Sequence, residues 1–194
     1  MALNITGDPA ADQLLSEDPF ALLAGMMLDQ QFPMERAFAG PAKIKERFGT
    51  VDPAAIATAP PEEFAAMCAL PPVVHRFPGS MAARLQTLAQ IVVDRYDGDA
   101  AALWNTADSG AEVFNRLTAL PGFGKQKAQI FTALLGKQRG VTPLGWRDAA
   151  APFGEDGAFR SVADIVDDDS LQRVRDTKRA LKVARRAAAA ESSD

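Results

Sequence analysis

Nine consecutive residues, Phe20-Ala21-Leu22-Leu23-Ala24-Gly25-Met26-Met27-Leu28, carry no polar side chain. A helix of that composition is apolar on every face, so other elements have to surround it. Asp18-Pro19 supplies an N-cap and a first-turn proline. Pro33, just after Gln30-Gln31, ends the helix. Elsewhere apolar residues recur at helical spacing, and no segment alternates with period two over six or more residues. An all-α fold wrapped around residues 20–28 is expected.

The same signals place the other helices. One is expected from Met34 to Phe48, closed by Gly49. Asp52-Pro53 and Pro60-Pro61-Glu62-Glu63 start two short ones, the second running to about Leu70. A proline-rich loop covers Pro71 to Gly79. Ser80 is then expected to cap a helix through Tyr96, with Met81, Leu85, Leu88, Ile91 and Val92 inward, stopped by Asp97-Gly98-Asp99. Helices follow at Ala111 to Ala119 and Lys125 to Lys137, and a short one near Leu144 to Ala151 capped by Thr142-Pro143. After a loop at Pro152 to Gly157, a long charged helix begins at Asp169 or Ser170. It runs into Ala187-Ala188-Ala189-Ala190 and a frayed polar tail. The organisation expected is a domain of two helical lobes over residues 1–150, with residues 151–194 completing or extending one lobe.

Residue counts exclude several chemistries. Cys68 and His75 are the only cysteine and histidine, so an intramolecular disulfide, a cysteine-ligated cluster and a histidine-rich metal centre are all out of reach. No stretch approaches the ~20 apolar residues that cross a bilayer. The apolar block near the start follows no lysine or arginine, unlike a secretory signal. A cytoplasmic, monomeric protein is expected. The net charge of −4 over 194 residues argues against a generally basic nucleic-acid binder but leaves local patches open.

One such patch surrounds Leu120-Pro121-Gly122-Phe123-Gly124-Lys125-Gln126-Lys127-Ala128. Two glycines about one apolar residue allow a tight turn with positive φ. The amides of Gly122, Gly124 and Lys125 are then left at a helix N-terminus, where they and the helix dipole can hold a phosphate whatever the base. From Lys125 to Arg147 there are five basic residues and no acidic one. That asymmetry suits a nucleic-acid face, although a glycine-turned αα-hairpin with a solvated basic face has the same composition.

Leu-Pro-Gly-apolar-Gly resembles the helix-hairpin-helix motif of the base-excision DNA glycosylase superfamily (HhH-GPD) that includes endonuclease III and the 3-methyladenine glycosylases. Asp18-Pro19-Phe20 leading to Gln30-Gln31 is similar to that family's "Pro-Phe … Leu-Ser-x-Gln" helix. Arg76 to Leu85 is similar to the loop-helix after its wedge. Order and spacing agree over about residues 15 to 150. The resemblance implies a two-lobed helix-hairpin-helix DNA glycosylase fold with double-stranded DNA across the cleft and a target base flipped into a pocket between the lobes.

It also implies roles for single residues. Leu120, Gly122, Phe123, Gly124, Lys125 and Lys127 would form the DNA-gripping hairpin, whose carbonyls often hold a monovalent cation in relatives. Gln31 matches the glutamine that fills the hole left by the flipped base, and Phe77 falls near the wedge. Packing roles are open to both. Gln126 stands where strand-cleaving relatives carry a nucleophilic lysine, so an imine and lyase chemistry are not expected there. Thr142 stands where the family's catalytic aspartate opens a helix, and it carries no charge. Asp29 and Asp148 are the candidate replacements. Gln126 and Trp146 are candidate pocket residues, and an iron–sulfur cluster is not expected. The functions implied are a monofunctional DNA glycosylase or, alternatively, a DNA-binding or lesion-sensing protein whose chemistry has lapsed. A helical protein-interaction module is a third possibility, separable by the salt dependence of DNA binding.

Overall fold

The computed structural model describes residues 2–191, so the polar tail expected at 192–194 lies outside the described residues. Helix α1 (Pro9–Glu17) is followed directly by α2 (Pro19–Leu28), and every residue of α2 from Phe20 to Leu28 is buried. Both begin alike. The Asp18 carboxylate accepts the Ala21 amide at 2.8 Å, and Asp8 does the same for Ala10 and Ala11, with a proline in each first turn. Helix α1 went unpredicted although Asp8-Pro9 carries the same signature.

Two helices, α3 (Met34–Phe38) and α4 (Gly40–Phe48), replace the single one expected over 34–48. Pro41 is the reason, since it has no N–H to give the Ala37 carbonyl and its ring would collide with it. Helices α5 (Pro53–Thr58) and α6 (Pro61–Ala69) lie along α7 (Pro78–Tyr96). Gln86 on α7 donates to the Ile56 and Ala59 carbonyls at 3.1 and 2.8 Å, satisfying orphan acceptors at the end of α5. Helix α7 starts at Pro78, two residues before the expected cap, and the Ser80 hydroxyl instead donates to the Phe77 carbonyl at 3.3 Å. The loop before α7 is sewn to α4. Arg47 donates to the carbonyls of Leu70 and Pro72 at 2.9 and 2.8 Å, and Lys43 to Val73 at 3.1 Å.

The second half contains α8 (Ala102–Asn105), α9 (Gly110–Thr118), α10 (Lys125–Gln138), α11 (Trp146–Ala149) and α12 (Asp168–Glu191), with a 3-10 turn at Val162–Asp164. One apolar core runs through both halves, and the described residues contain no strand, only an isolated bridge between Ser109 and Leu144. No described helix is long and apolar enough to cross a membrane. The fold is all-α, as expected.

Helix α11 is shorter than the one expected and is preceded by Gly145, not capped by Thr142. The 3-10 turn docks on α10 through Lys137, which pairs with Asp164 at 2.6 Å, and through Gln138, which donates to Ala163 at 2.9 Å. Helix α12 is anchored by its first two turns, where Leu171 and Val174 are buried. Further along it, Leu181 and Val183 are 50% and 63% exposed.

Trp146 seats its indole on α10 at Gly136, where an added Cβ would lie 2.3 Å from Cζ3. Gly136→Ala should therefore displace the ring and cost about 1–3 kcal/mol. In a chain of this size each kcal/mol corresponds to roughly 2–4 °C, so thermal unfolding should drop by several degrees.

Candidate functional site

The turn between α9 and α10 has the geometry its glycines suggested. Gly122 has φ +81°, and Gly124 precedes α10 in extended backbone. Phe123 donates its amide to the Leu120 carbonyl at 3.2 Å, which closes the turn. The Leu120 and Phe123 side chains are buried, Phe123 edge-on to Phe131 at 5.9 Å, so they anchor the turn from beneath. The amides of Gly122, Gly124 and Lys125 make no backbone hydrogen bond among the described residues. Gly124, Lys125 and Gln126 are exposed.

The inner side of the turn rests on α2 and α7. A Cβ at Gly122 would lie 3.2 Å from Met27 Cγ, 3.3 Å from Arg84 Cδ and 3.4 Å from Gln30 Nε2. Those residues are held in turn. Gln30 donates to the Met27 carbonyl at 2.7 Å and accepts from Arg84 at 2.9 Å. Lys127 reaches back from α10 to the same Met27 carbonyl at 3.0 Å. The C-terminal end of α2, the negative end of its dipole, thus receives the Lys127 ammonium.

Asp29 follows at once, half-buried. Burial pushes its carboxyl pKa up and Glu35 adds to this, while Lys178 and Lys127 pull it down. Burial in turn lowers the Lys127 ammonium to about 8, which Asp29 opposes and Arg84 reinforces. Helix α12 covers this side. Arg175 pairs with Glu35 at 2.6 Å, and Lys178 approaches the Met34 sulfur at 3.5 Å. The result is a carboxylate in a partly desolvated setting with cations on two sides, beside the hairpin.

Gln31 and Phe77 sit on the same rim. Gln31 has φ +50°, and its exposed side chain makes no hydrogen bond among the described residues. Arg76 lies over the half-exposed Phe77 ring at 4.8 Å and reaches the Gln31 carbonyl at 3.5 Å. His75, fully buried, stacks between Phe32 and Phe77 at 4.8 and 5.9 Å. Its Nδ1 accepts the Phe77 amide at 3.1 Å, so Nε2 carries the hydrogen and donates to the Gln30 carbonyl at 2.9 Å. Burial lowers its pKa, the bond to the Gln30 carbonyl opposes this, and Arg76, Lys127 and Arg84 add to the lowering. A neutral ring thus fixes both Gln30 and the loop.

Asp29, Gln31, Phe77, Gly122, Gly124, Lys125, Gln126 and Lys127 therefore share one region. Thr142 and Asp148 stand elsewhere. Val141 donates to the Leu135 carbonyl and Leu144 accepts from the Gly110 amide, which puts this segment at the open end of the hairpin. Leu135 is ten residues from Lys125, about 15 Å along a helix. Asp148 is exposed on α11. Trp146 and Gln126 line different cavities, Trp146 one that includes Thr142 and Asp164. The basic run over 125–147 is not one face either. Lys137 is spent on Asp164, Arg147 on Asp156 and Arg139 on the Ser16 carbonyl, leaving Lys125 and Lys127 at the turn. No group of three or more His, Cys, Asp or Glu that could hold a metal ion occurs among the described residues.

Sequence reasoning missed the parts that hold the site. His75, the sole histidine, and Arg84 act by bonding to Gln30, a contact no spacing rule encodes. Lys178 lies on the long charged helix, and nothing in the string places it near Asp29.

A family model described as the HhH-GPD superfamily of base excision DNA repair proteins matches residues 24–190. The chain belongs to that superfamily. No curated protein and no solved structure matches it. As an HhH-GPD base excision repair protein it has DNA as its partner, and its match spans the helical segments from α2 to α12 that build the site.

Two outcomes follow for DNA binding. A Cβ at Gly124 would meet nothing within 4 Å, so Gly124→Asp should fold normally. It should nevertheless lower DNA affinity by on the order of tenfold in a fluorescence-anisotropy titration, because a negative charge beside the open amides of the turn would repel a phosphate. Separately, Lys127 loses its charge as pH rises through about 8, so duplex affinity should fall across that range. Lys127→Met should bind more weakly below it and lack that step.

Proposed function

We propose that the protein is a monofunctional DNA glycosylase acting on double-stranded DNA, with Asp29 as the carboxylate that stabilises charge developing on the sugar. The carrying observation is the position of Asp29: half-buried, beside the hairpin turn and flanked by Lys127 and Lys178. A carboxylate in a partly water-excluded site interacts more strongly with an oxocarbenium-like sugar than a solvated one does. The lysines favour its ionised form against the burial that raises its pKa. Thr142 and Asp148 lack this setting.

In this reading the amides of Gly122, Gly124 and Lys125 grip the backbone of the damaged strand. The Gly122 carbonyl oxygen of the same turn accepts no backbone hydrogen bond among the described residues and is a neutral ligand suited to a monovalent cation. Gln31, whose amide can both donate and accept, enters the space vacated by the flipped base. Phe77 wedges beside it, its ring braced by Arg76 and His75. Gln126 has no amine, so water takes the sugar and the product is an intact abasic site.

Asp29→Asn should reduce base release by roughly 10²-fold or more with duplex affinity retained, whereas Asp148→Asn should leave release unchanged. Strand breaks should appear only after alkali, and borohydride should trap no protein–DNA adduct. Measurement is of abasic sites on a panel of duplexes with deaminated, oxidised and alkylated bases. A protein that binds these duplexes and releases nothing would instead be a lesion sensor.

A further inference from the structure

A groove of about 860 Å³ lies between α10 and α12 and begins at Gln126, the second residue of α10. Its apolar lining includes Ile130, Phe153 and Leu181. Its polar lining is cationic, with Lys178, Lys182 and Arg160, and no carboxylate lines it among the described residues. Glu155 and Asp29 act on its cations from outside the lining: Glu155 pairs with Arg160 at 3.1 Å, and Lys178 lowers the carboxyl pKa of Asp29. Apolar side chains beside cations, one of which also acts on the proposed catalytic carboxylate, suit a flat ring that is or becomes negative.

Base release is a hydrolysis in which the C1′–N bond breaks and its electron pair goes to the base nitrogen. A water oxygen bonds to C1′, and its proton passes to the base or to solvent. A neutral base accordingly departs as a nitrogen anion, which nearby cations stabilise. A purine alkylated on a ring nitrogen starts cationic and departs neutral, so the same cations oppose its binding and gain nothing as it leaves. Recognition of cationic rings elsewhere uses several aromatic faces; here Phe153 is the one aromatic residue in the lining. We infer that this groove receives the flipped base and selects neutral bases that leave as nitrogen anions, such as uracil-type imides and oxidised bases, against cationic alkylated purines. This rests on the glycosylase reading above and names its substrate class.

The test is single-turnover base release at saturating protein, on duplexes carrying uracil, 5-hydroxyuracil, 8-oxoguanine, N7-methylguanine or N3-methyladenine. At least one neutral base should be released tenfold or more faster than either methylpurine. Lys178→Met combined with Lys182→Met should slow that release by on the order of 10²-fold when the protein is still saturating. Ala158→Trp, which fills the groove, should abolish release while leaving the melting temperature and affinity for an abasic-analogue duplex unchanged. Faster release of a methylpurine, or neutral-base release indifferent to these variants, overturns the inference and leaves the glycosylase reading standing. Tight binding with no release from any duplex overturns both.

Discussion

The carbonyl at the end of the central helix is the hinge of the whole arrangement. Met27 is the penultimate residue of α2, and its oxygen accepts from Gln30 at 2.7 Å and from Lys127 at 3.0 Å. Those two bonds tie the most buried helix to the following loop and to a hairpin a hundred residues away. Without a donor there, a buried acceptor would cost about 1–3 kcal/mol. Lys127 supplies one at the expense of its own hydration, and the lowering of its pKa to about 8 is that expense. The hairpin is thereby fixed against the helix that delivers Asp29, Gln30 and Gln31.

From this junction the division of labour between adjacent residues becomes clear. Gln30 is spent inside, its amide bonded to Met27 and Arg84 and its carbonyl to His75. Gln31, next in the chain, faces outward. Lys125 is exposed beside the turn, whereas Lys127, two residues on, turns back into the protein. A rotation of about 200° over two helical residues accounts for the second contrast.

Much of this was legible in the sequence. The apolar run over 20–28 predicted a surrounded helix, and the positive φ expected of the hairpin glycines appears at Gly122, although not at Gly124, because composition and φ requirements are local properties. The break at Gly40-Pro41 was also written there, but the apolar pattern on both sides hid it. What could not be read were long-range bonds. Five basic residues between Lys125 and Arg147 look alike in a string; Asp164, Asp156 and the Ser16 carbonyl claim three of them only once the chain is folded. Thr142 follows the hairpin in sequence at the spacing of a catalytic residue, yet α10 continues to Gln138 and carries the chain to the far end before Thr142 is reached. Likewise the electrostatic setting of Asp29 draws on Lys178 of α12, far along the chain.

The left-handed backbone at Gln31 also constrains how this position can change. At φ +50° a residue other than glycine is strained, least so for asparagine or aspartate and most for a β-branched side chain. Side-chain chemistry and main-chain conformation are thus coupled at one site. Asparagine is the replacement that keeps an amide and suits the backbone, but it is one methylene shorter. On the proposed role of Gln31, variation here trades the reach of the amide against ease of folding, and a β-branched replacement would bear the most backbone strain.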